Sequence, residues 1–96
     1  MAKGYWVTFY RSISDASALA EYAKLASAAI QAGGGKFLAR GVPVKAYEAG
    51  RKERAVVIEF ETVEKAVNTF EGEAYQAAAK LLVGKVARDV RIVEGT

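Results

Sequence analysis

The sequence predicts an α+β fold in which helices cover one face of a four-stranded antiparallel sheet. Runs rich in β-branched and aromatic residues alternate with longer runs that repeat an apolar residue every three or four positions. The runs follow the order strand, helix, strand, strand, helix, strand, which is the split βαβ order of ferredoxin-like folds. The composition does not change along the 96 residues, so we expect a single domain over residues 1–96.

Four segments have the composition of strands. They combine β-branched and aromatic side chains with few glycines, and they span residues 5–10, 36–40, 54–60 and 86–93. Residues 44–48 can extend the second strand at a sheet edge, where the preceding Pro43 is tolerated. The third strand is the clearest, because every second residue from Val56 to Phe60 is large and apolar.

Capping residues mark the helices. Ser14 or Asp15 can cap the first helix, and the glycines at 33–35 end it, because glycine readily supplies the positive φ of a helix C-cap. Thr62 can cap a shorter helix, which Gly72 interrupts before a further helical stretch. The predicted helices occupy residues 16–32, 63–71 and 73–83.

The chain contains neither cysteine nor histidine. Disulfides, thiolate metal sites and cysteine nucleophiles are therefore excluded, as are histidine-based triads, histidine-bound zinc and histidine-ligated haem. We expect no metal site and no cofactor. The net charge is +3 and the charges are scattered, with a single cluster at residues 51–54 that Glu53 dilutes.

Membrane and nucleic-acid partners are not expected. No apolar stretch approaches the roughly 20 residues that span a bilayer, and no signal-peptide core follows the first residues. We therefore expect a cytoplasmic protein. When the last residue of the RNA-recognition motif is aligned to Phe60, Ala55 and Val57 occupy the positions of the base-stacking aromatics. The stacking platform is thus missing.

Two phosphate-binding patterns are only weakly represented. Arg11, Ser12 and Ser14 follow the first strand as the phosphate loop of acylphosphatases does, but they lack its glycines. The glycines at 33–35 end a helix and match neither the dinucleotide nor the Walker pattern. Ordinary helix capping is the favoured interpretation of both segments.

Both faces of the first strand are apolar, and one layer of helices can cover only one of them. Tyr5, Val7 and Phe9 alternate with Trp6 and Tyr10. The chain is too short to supply a second layer, so we expect a second copy of the sheet to cover the open face in a two-fold homodimer. Trp6 and Tyr10 are assigned to the dimer core. The alternative is an exposed aromatic platform for a ligand on a monomer.

Several segments, in the same order along the chain, resemble the domain-of-unknown-function 1330 family. They are MAKGYW at 1–6, Tyr22, GGKFLARG at 34–41, VIEF at 57–60, EAYQA at 73–77 and IVEG at 92–95. The resemblance implies the dimeric α+β barrel superfamily, whose members pair their sheets into a barrel. Its wider members include cofactor-free monooxygenases, lactone isomerases and haem-dependent enzymes. Several of these use a histidine, so their chemistry does not transfer to this chain.

Polar residues within apolar elements are the candidate ligand-binding residues: Tyr22, Lys36, Arg40, Glu59 and Tyr75. A carboxylate within an apolar strand, such as Glu59, needs a cation or a hydrogen-bond donor beside it. We expect Arg40 to be this partner, with Lys36 on the same strand face as the alternative. A salt bridge on a solvated strand is the structural interpretation of these charges. Tyr22 and Tyr75 lie on helix faces that should meet the sheet, where their phenols can line a cleft or complete the core.

Two classes of function follow from these candidates. We favour a small cytoplasmic homodimeric protein of the domain-of-unknown-function 1330 type that binds a small molecule in a pocket between the sheet and the helices. The alternative is a cofactor-free small-molecule enzyme, monooxygenase-like or isomerase-like, in which Arg40 orients the substrate and Glu59 acts as a base.

Overall fold

The structure is a computed structural model that describes residues 2–96. Four antiparallel strands form one sheet in the order β2-β3-β1-β4, with three α-helices. The elements are β1 (Gly4–Ile13), α1 (Ala16–Ala32), β2 (Lys36–Gly41), β3 (Arg54–Phe60), α2 (Val63–Glu71), α3 (Glu73–Ala79) and β4 (Val86–Glu94). The predicted α+β, ferredoxin-like order is confirmed. Within residues 2–96 no helix is long and apolar enough to cross a membrane.

The side-chain alternation of the strands assigns the two faces of the sheet. Trp6, Ile58 and Phe60 are each 1% exposed and belong to the core with the helices. Residues of the opposite parity, such as Phe9 at 49% exposure, lie on the far face. The assignment of Trp6 and Tyr10 to the dimer core is therefore wrong, because the helices of the same chain cover both side chains.

Aromatic rings form the centre of this core. The Trp6 ring lies 4.7 Å from the Tyr75 ring of α3 and 5.2 Å from the Phe70 ring of α2, both nearly edge to face. It also stacks on Phe60 of the neighbouring strand at 6.2 Å. Edge-to-face pairs of this kind add about 0.5–1.5 kcal/mol beyond the area they bury. The Trp6 ring therefore fixes α2 and α3 against the central strands.

Three element boundaries differ from those predicted. β1 continues to Ile13 because it pairs with β4 across a register shift between Tyr10 and Ser12. Residues 44–48 are not a strand and belong to an irregular connection over residues 42–53. Pro43 explains this difference, since it has no N–H to donate to a sheet ladder. The last helix is shorter than predicted, because α3 gives way to a 3₁₀ turn at Lys80–Leu82.

Helix α1 carries several candidate residues, and its ends are fixed locally. Asp15 caps it by accepting the N–H groups of Ser17 and Ala18 at 3.1 and 3.0 Å. After Ala32 the chain turns through Gly34, whose φ of 95° favours glycine. Both signals were visible in the sequence.

We predict that Thr8→Val destabilises the protein by about 1–3 kcal/mol, the cost of leaving a buried donor without a partner. The Trp6 Nε1–H donates to Thr8 Oγ1 at 3.0 Å, and both side chains are buried. Valine has nearly the same shape but cannot accept this hydrogen bond. Urea unfolding of the variant measures the loss.

The control for this prediction is the same substitution in a Trp6→Phe background. Phenylalanine has no N–H, so Thr8→Val should there be nearly neutral. An equal cost in both backgrounds would show that the hydrogen bond is not the cause.

Candidate functional site

A cleft opens between α1 and the side of the sheet that faces the helices, and we call it the helix–sheet cleft. Four aromatic side chains line it: Trp6, Tyr10, Tyr22 and Phe37. The closed part of the cleft has a volume of about 30 Å³, so it is narrow and has room for one or two waters.

Two arginines line the helix–sheet cleft, and no acidic residue does. Arg40 Nη1 donates to Ser27 Oγ at 3.1 Å, and the guanidinium lies 4.3 Å from the centre of the Phe37 ring. Among residues 2–96, neither Arg40 nor Arg54 forms an ion pair with a carboxylate. The cleft is therefore electropositive and suited to a ligand that carries negative charge.

Three residues in register form a row across the same side of the sheet, and we call it the arginine row. Tyr10 of β1 is the Cα partner of Arg54 on β3 and of Arg88 on β4. Burial raises the pKa of Tyr10, as does the neighbouring Tyr22, while the charges of Arg88 and Arg54 oppose the rise. The phenol thus stays neutral at physiological pH, between two cations.

Above the arginine row, a hydrogen bond joins α1 to α3. The hydroxyl oxygens of Tyr22 and Tyr75 lie 2.6 Å apart, and Arg88 Nη1 donates to Tyr22 Oη at 3.1 Å. The Arg88 guanidinium also lies 5.3 Å from the Tyr22 ring centre and 6.0 Å from that of Tyr75. Arg88 makes no ion pair within residues 2–96, so phenol oxygens and ring faces balance its charge.

Both phenols keep their hydrogens near neutral pH. Burial, together with the adjacent Tyr75, raises the pKa of Tyr22, and burial raises that of Tyr75 against the opposing charge of Arg88. Each hydroxyl carries one hydrogen, so whichever phenol donates to the other, the acceptor keeps its own hydrogen. When Tyr75 is the donor, the hydrogen of Tyr22 remains available to an oxygen atom in the helix–sheet cleft, which Tyr22 lines.

Glu59 lies on the far face of the sheet, so the expected Arg40–Glu59 pair is wrong. Tyr5 Oη donates to Glu59 Oε2 at 3.0 Å, and Lys3 Nζ lies 3.5 Å from Glu59 Oε1. These two neighbours supply the donor and the cation that a carboxylate on a strand needs. Glu59 is therefore not part of the helix–sheet cleft and cannot act there as a base.

A β-bulge separates Lys36 from Arg40, which were expected on one face. The register of β2 on β3 shifts between Phe37 and Ala39, and Leu38 has no partner in the ladder. Two residues four apart share a face in a regular strand, but an extra residue between them places them on opposite faces. Arg40 thus faces the helices, whereas Lys36 lies on the far face beside Glu59.

The residues of the arginine row were not among the predicted ligand-binding residues. Arg88 is the main omission, although a signal was present. It falls in the same alternation as Val90 and Ile92, which pack against the core. A charged residue in the inward positions of a strand needs a buried partner, and two tyrosines on helix faces could have been proposed as that partner.

Comparison with protein families now identifies the chain. The model described as "Domain of unknown function (DUF1330)" matches residues 3–96. The chain belongs to this family. The resemblance seen in the sequence is thereby confirmed, and the description of the family names no reaction. A comparison with curated proteins finds no match.

Solved structures share the fold of this member of the family. A protein of unknown function from Rhodopseudomonas palustris matches with a TM-score of 0.74 and 15% identity, over 99% of this chain and 83% of that one. A dimeric ferredoxin-like protein of unknown function from Thermobifida fusca gives 0.68 and 15%, over 97% and 91%. A cofactor-independent oxygenase from Streptomyces nogalater gives 0.64 and 11%, over 100% and 95%. Identities this low support the ferredoxin-like fold alone.

We predict that the phenol pair makes stability fall steeply at alkaline pH. The pKa of Tyr22 in the folded protein lies above its ordinary value of 10.0, so its contribution is complete below that value and is lost as the pH rises above it. Tyr22→Phe should cost about 1 kcal/mol near neutrality by removing hydrogen bonds. Between about pH 10 and about pH 11, the free energy of unfolding should fall by up to ~1.4 kcal/mol less in this variant than in the wild-type protein.

Urea unfolding at about pH 8 and about pH 11 measures both effects. Tyr47→Phe is the matched control, because Tyr47 is 74% exposed. If Tyr22→Phe and Tyr47→Phe gave the same pH dependence, the buried phenol pair would not be its source.

Proposed function

We propose that the chain, as one domain over residues 1–96, binds a small cytoplasmic molecule that has an apolar or aromatic body and an anionic oxygen group. The helix–sheet cleft is the proposed site. The observation that carries this proposal is its lining of aromatic rings and two arginines without any acidic residue. Sites for small molecules commonly combine apolar walls with a few converging polar groups.

The polarity of the site specifies the charge of the ligand. The ionisable side chains of the lining are Tyr10, Tyr22, Arg40 and Arg54, and all four carry donor hydrogens at neutral pH. A carboxylate or phenolate would accept hydrogen bonds from them and offset two unpaired charges. A cationic ligand would meet no counter-charge in the lining. The aromatic rings would enclose the body of the ligand.

Arg40 is proposed to act as the gate of the helix–sheet cleft. The closed part of the cleft is too small for an organic ligand, so a side chain has to move. Arg40 is exposed and lies on the edge strand β2, held by one hydrogen bond to Ser27 and by its contact with Phe37. Exposed contacts of this kind are each worth about 1 kcal/mol or less. An anionic ligand can replace them with a charge-assisted hydrogen bond.

We also propose a homodimer in which the far faces of two sheets pack together. Tyr5, Val7 and Phe9 form an apolar stripe along the central strand β1, and Phe9 and Val93 are about half exposed. The helices cover the opposite face, and the connection over residues 42–53 lies beside Phe9. Solved relatives from Thermobifida fusca and Bacteroides fragilis are described as dimeric proteins with a ferredoxin-like fold, which supports this arrangement.

A cofactor-free enzyme is the second candidate function. The donor set of Tyr22, Tyr75 and Arg88 resembles an oxyanion-stabilising arrangement, and one solved structure of the same fold is described as a cofactor-independent oxygenase. No general base is evident beside these donors. The raised pKa values of the two phenols keep them protonated near neutral pH, so they cannot accept a proton there, and Glu59 lies on the far face. Binding is therefore the function that the geometry supports best.

We predict that aromatic carboxylates such as benzoate and 2-naphthoate stabilise the protein in a thermal-shift assay, whereas benzamide does not. Arg40→Ala and Arg54→Ala should each weaken the binding of the carboxylate about tenfold, or about 1.4 kcal/mol, the scale of one lost charge-assisted hydrogen bond. Lys24→Ala is the control, because it removes a charge from α1 outside the cleft. Equal stabilisation of all three variants would place the binding elsewhere, and no stabilisation by any carboxylate would reject the proposal.

We predict that Phe9→Asp converts the dimer to a monomer while the circular dichroism spectrum is kept. A charge in the middle of an apolar interface is strongly unfavourable, so the dissociation constant should rise at least ~30-fold. Light scattering across a dilution series measures it. Leu25→Asp is the control, since Leu25 is 53% exposed but lies on α1. A wild-type monomer, or a dimer unaffected by Phe9→Asp, would contradict the proposed interface.

A further inference from the structure

A second concavity lies on the other side of Tyr10, and we call it the basic depression. It lies between β1, the connection over residues 42–53 and β4, and has a volume of about 280 Å³. Its cationic side chains are Arg11 of β1 and Lys45 and Arg51 of the connection. We propose that the basic depression binds a small multivalent oxyanion, the chemistry of a phosphate ester or a pyrophosphate.

The charges of the basic depression are unbalanced. None of Arg11, Lys45 and Arg51 lies within ion-pair distance of a carboxylate in the described residues. Asp89 is the acidic residue of the lining, and Arg91 donates to both of its oxygens at 3.1 and 3.0 Å. The hydrogen bonds from Arg91, and to a smaller extent the charge of Arg11, lower the pKa of Asp89. One carboxylate thus faces three cations, and the lining keeps a net positive charge. Three like charges around one concavity repel one another unless an anion is bound.

The backbone helps to bring these cations together. Lys45 and Arg51 lie on either side of a turn in which the Gly50 N–H donates to the Tyr47 carbonyl at 2.9 Å. Glu48 within this turn has a φ of 53°, an uncommon conformation that surrounding structure has to stabilise. Both residues line the same concavity as Arg11 of β1. The cations therefore converge through tertiary structure, beyond what their spacing in the sequence predicts.

The lining also indicates which anions fit. Arg11 and Arg51 offer planar guanidinium groups, which bind two oxygens of a phosphate at once, and Lys45 offers a point charge. A monovalent anion would satisfy one of these groups, whereas a multivalent oxyanion can meet all three. The three cationic side chains are exposed, so binding should weaken as salt screens their charges. Phe9 also lines the basic depression, which therefore adjoins the proposed dimer face. This proposal stands independently of the helix–sheet cleft, which has a different lining apart from Tyr10.

The test is calorimetric titration of the full chain with pyrophosphate and with inorganic phosphate, at constant ionic strength set by chloride. We expect pyrophosphate to bind at least tenfold more tightly than phosphate. Arg51→Ala and Lys45→Ala should each weaken pyrophosphate binding about fivefold to tenfold, which is the scale of one charge-assisted contact. Lys52→Ala is the matched control, since it removes the neighbouring charge from outside the lining.

Equal weakening by Lys52→Ala and Arg51→Ala would show attraction to the net charge alone and would overturn the proposal. So would the absence of pyrophosphate binding at about 10 mM, the range in which weak ion contacts saturate. Arg54→Ala separates this site from the helix–sheet cleft. It should weaken carboxylate binding and leave pyrophosphate binding within about twofold, and a larger loss of pyrophosphate binding would assign the anion to the cleft.

Discussion

The hydrogen bond between Tyr22 and Tyr75 is the contact on which the helical layer and the candidate site both depend. It joins α1 to α3 above the central strand, so it constrains the positions of the two helices relative to each other. The Tyr22 and Tyr75 rings are packed edge to face with each other, and the Tyr75 ring is also packed edge to face with Trp6. Because the phenol oxygens lie inside an apolar layer, they are stable only while they have partners. The hydrogen bond between the two phenols therefore favours a single arrangement of α1 and α3 on the sheet.

The surroundings of Arg88 are governed by the same constraint, that buried polar groups need hydrogen-bond partners. A guanidinium on the helix-facing side of β4 has to find acceptors there, and the described residues offer no carboxylate nearby. The Tyr22 oxygen and two ring faces supply a weaker compensation. Its register neighbour Tyr10 then lies between Arg88 and Arg54. The two neighbouring cations of the arginine row reduce the free energy of unfolding when no ligand is bound. An anionic ligand in the adjacent helix–sheet cleft would offset part of this destabilisation. The geometry thus relates the stability of the core to the proposed binding.

Much of the fold could be predicted from the sequence, because alternation and capping are local properties. The helix α1 was predicted from its cap Asp15 and the glycines at 33–35, and β3 from the alternation of its apolar side chains. Both elements lie nearly where they were expected. The site was less predictable, because it depends on register. No residue of KFLARG signals the bulge at Leu38, yet that one residue decides whether Arg40 faces the helices or Glu59. Which of two apolar faces of β1 the helices cover was equally undetermined by alternation alone.

The two faces of β1 show how one strand can serve two purposes in so short a chain. Trp6 and Tyr10 belong to the core and line the helix–sheet cleft, while Tyr5, Val7 and Phe9 form the apolar stripe of the far face. Since a shift of one residue would exchange these sets, the pairing of β1 with β3 and β4 has to be strongly specified. The aromatic contacts of Trp6 specify it from the helix side. A second copy of the sheet would specify it from the other side, so dimer formation and the geometry of the cleft would be stabilised by the same register.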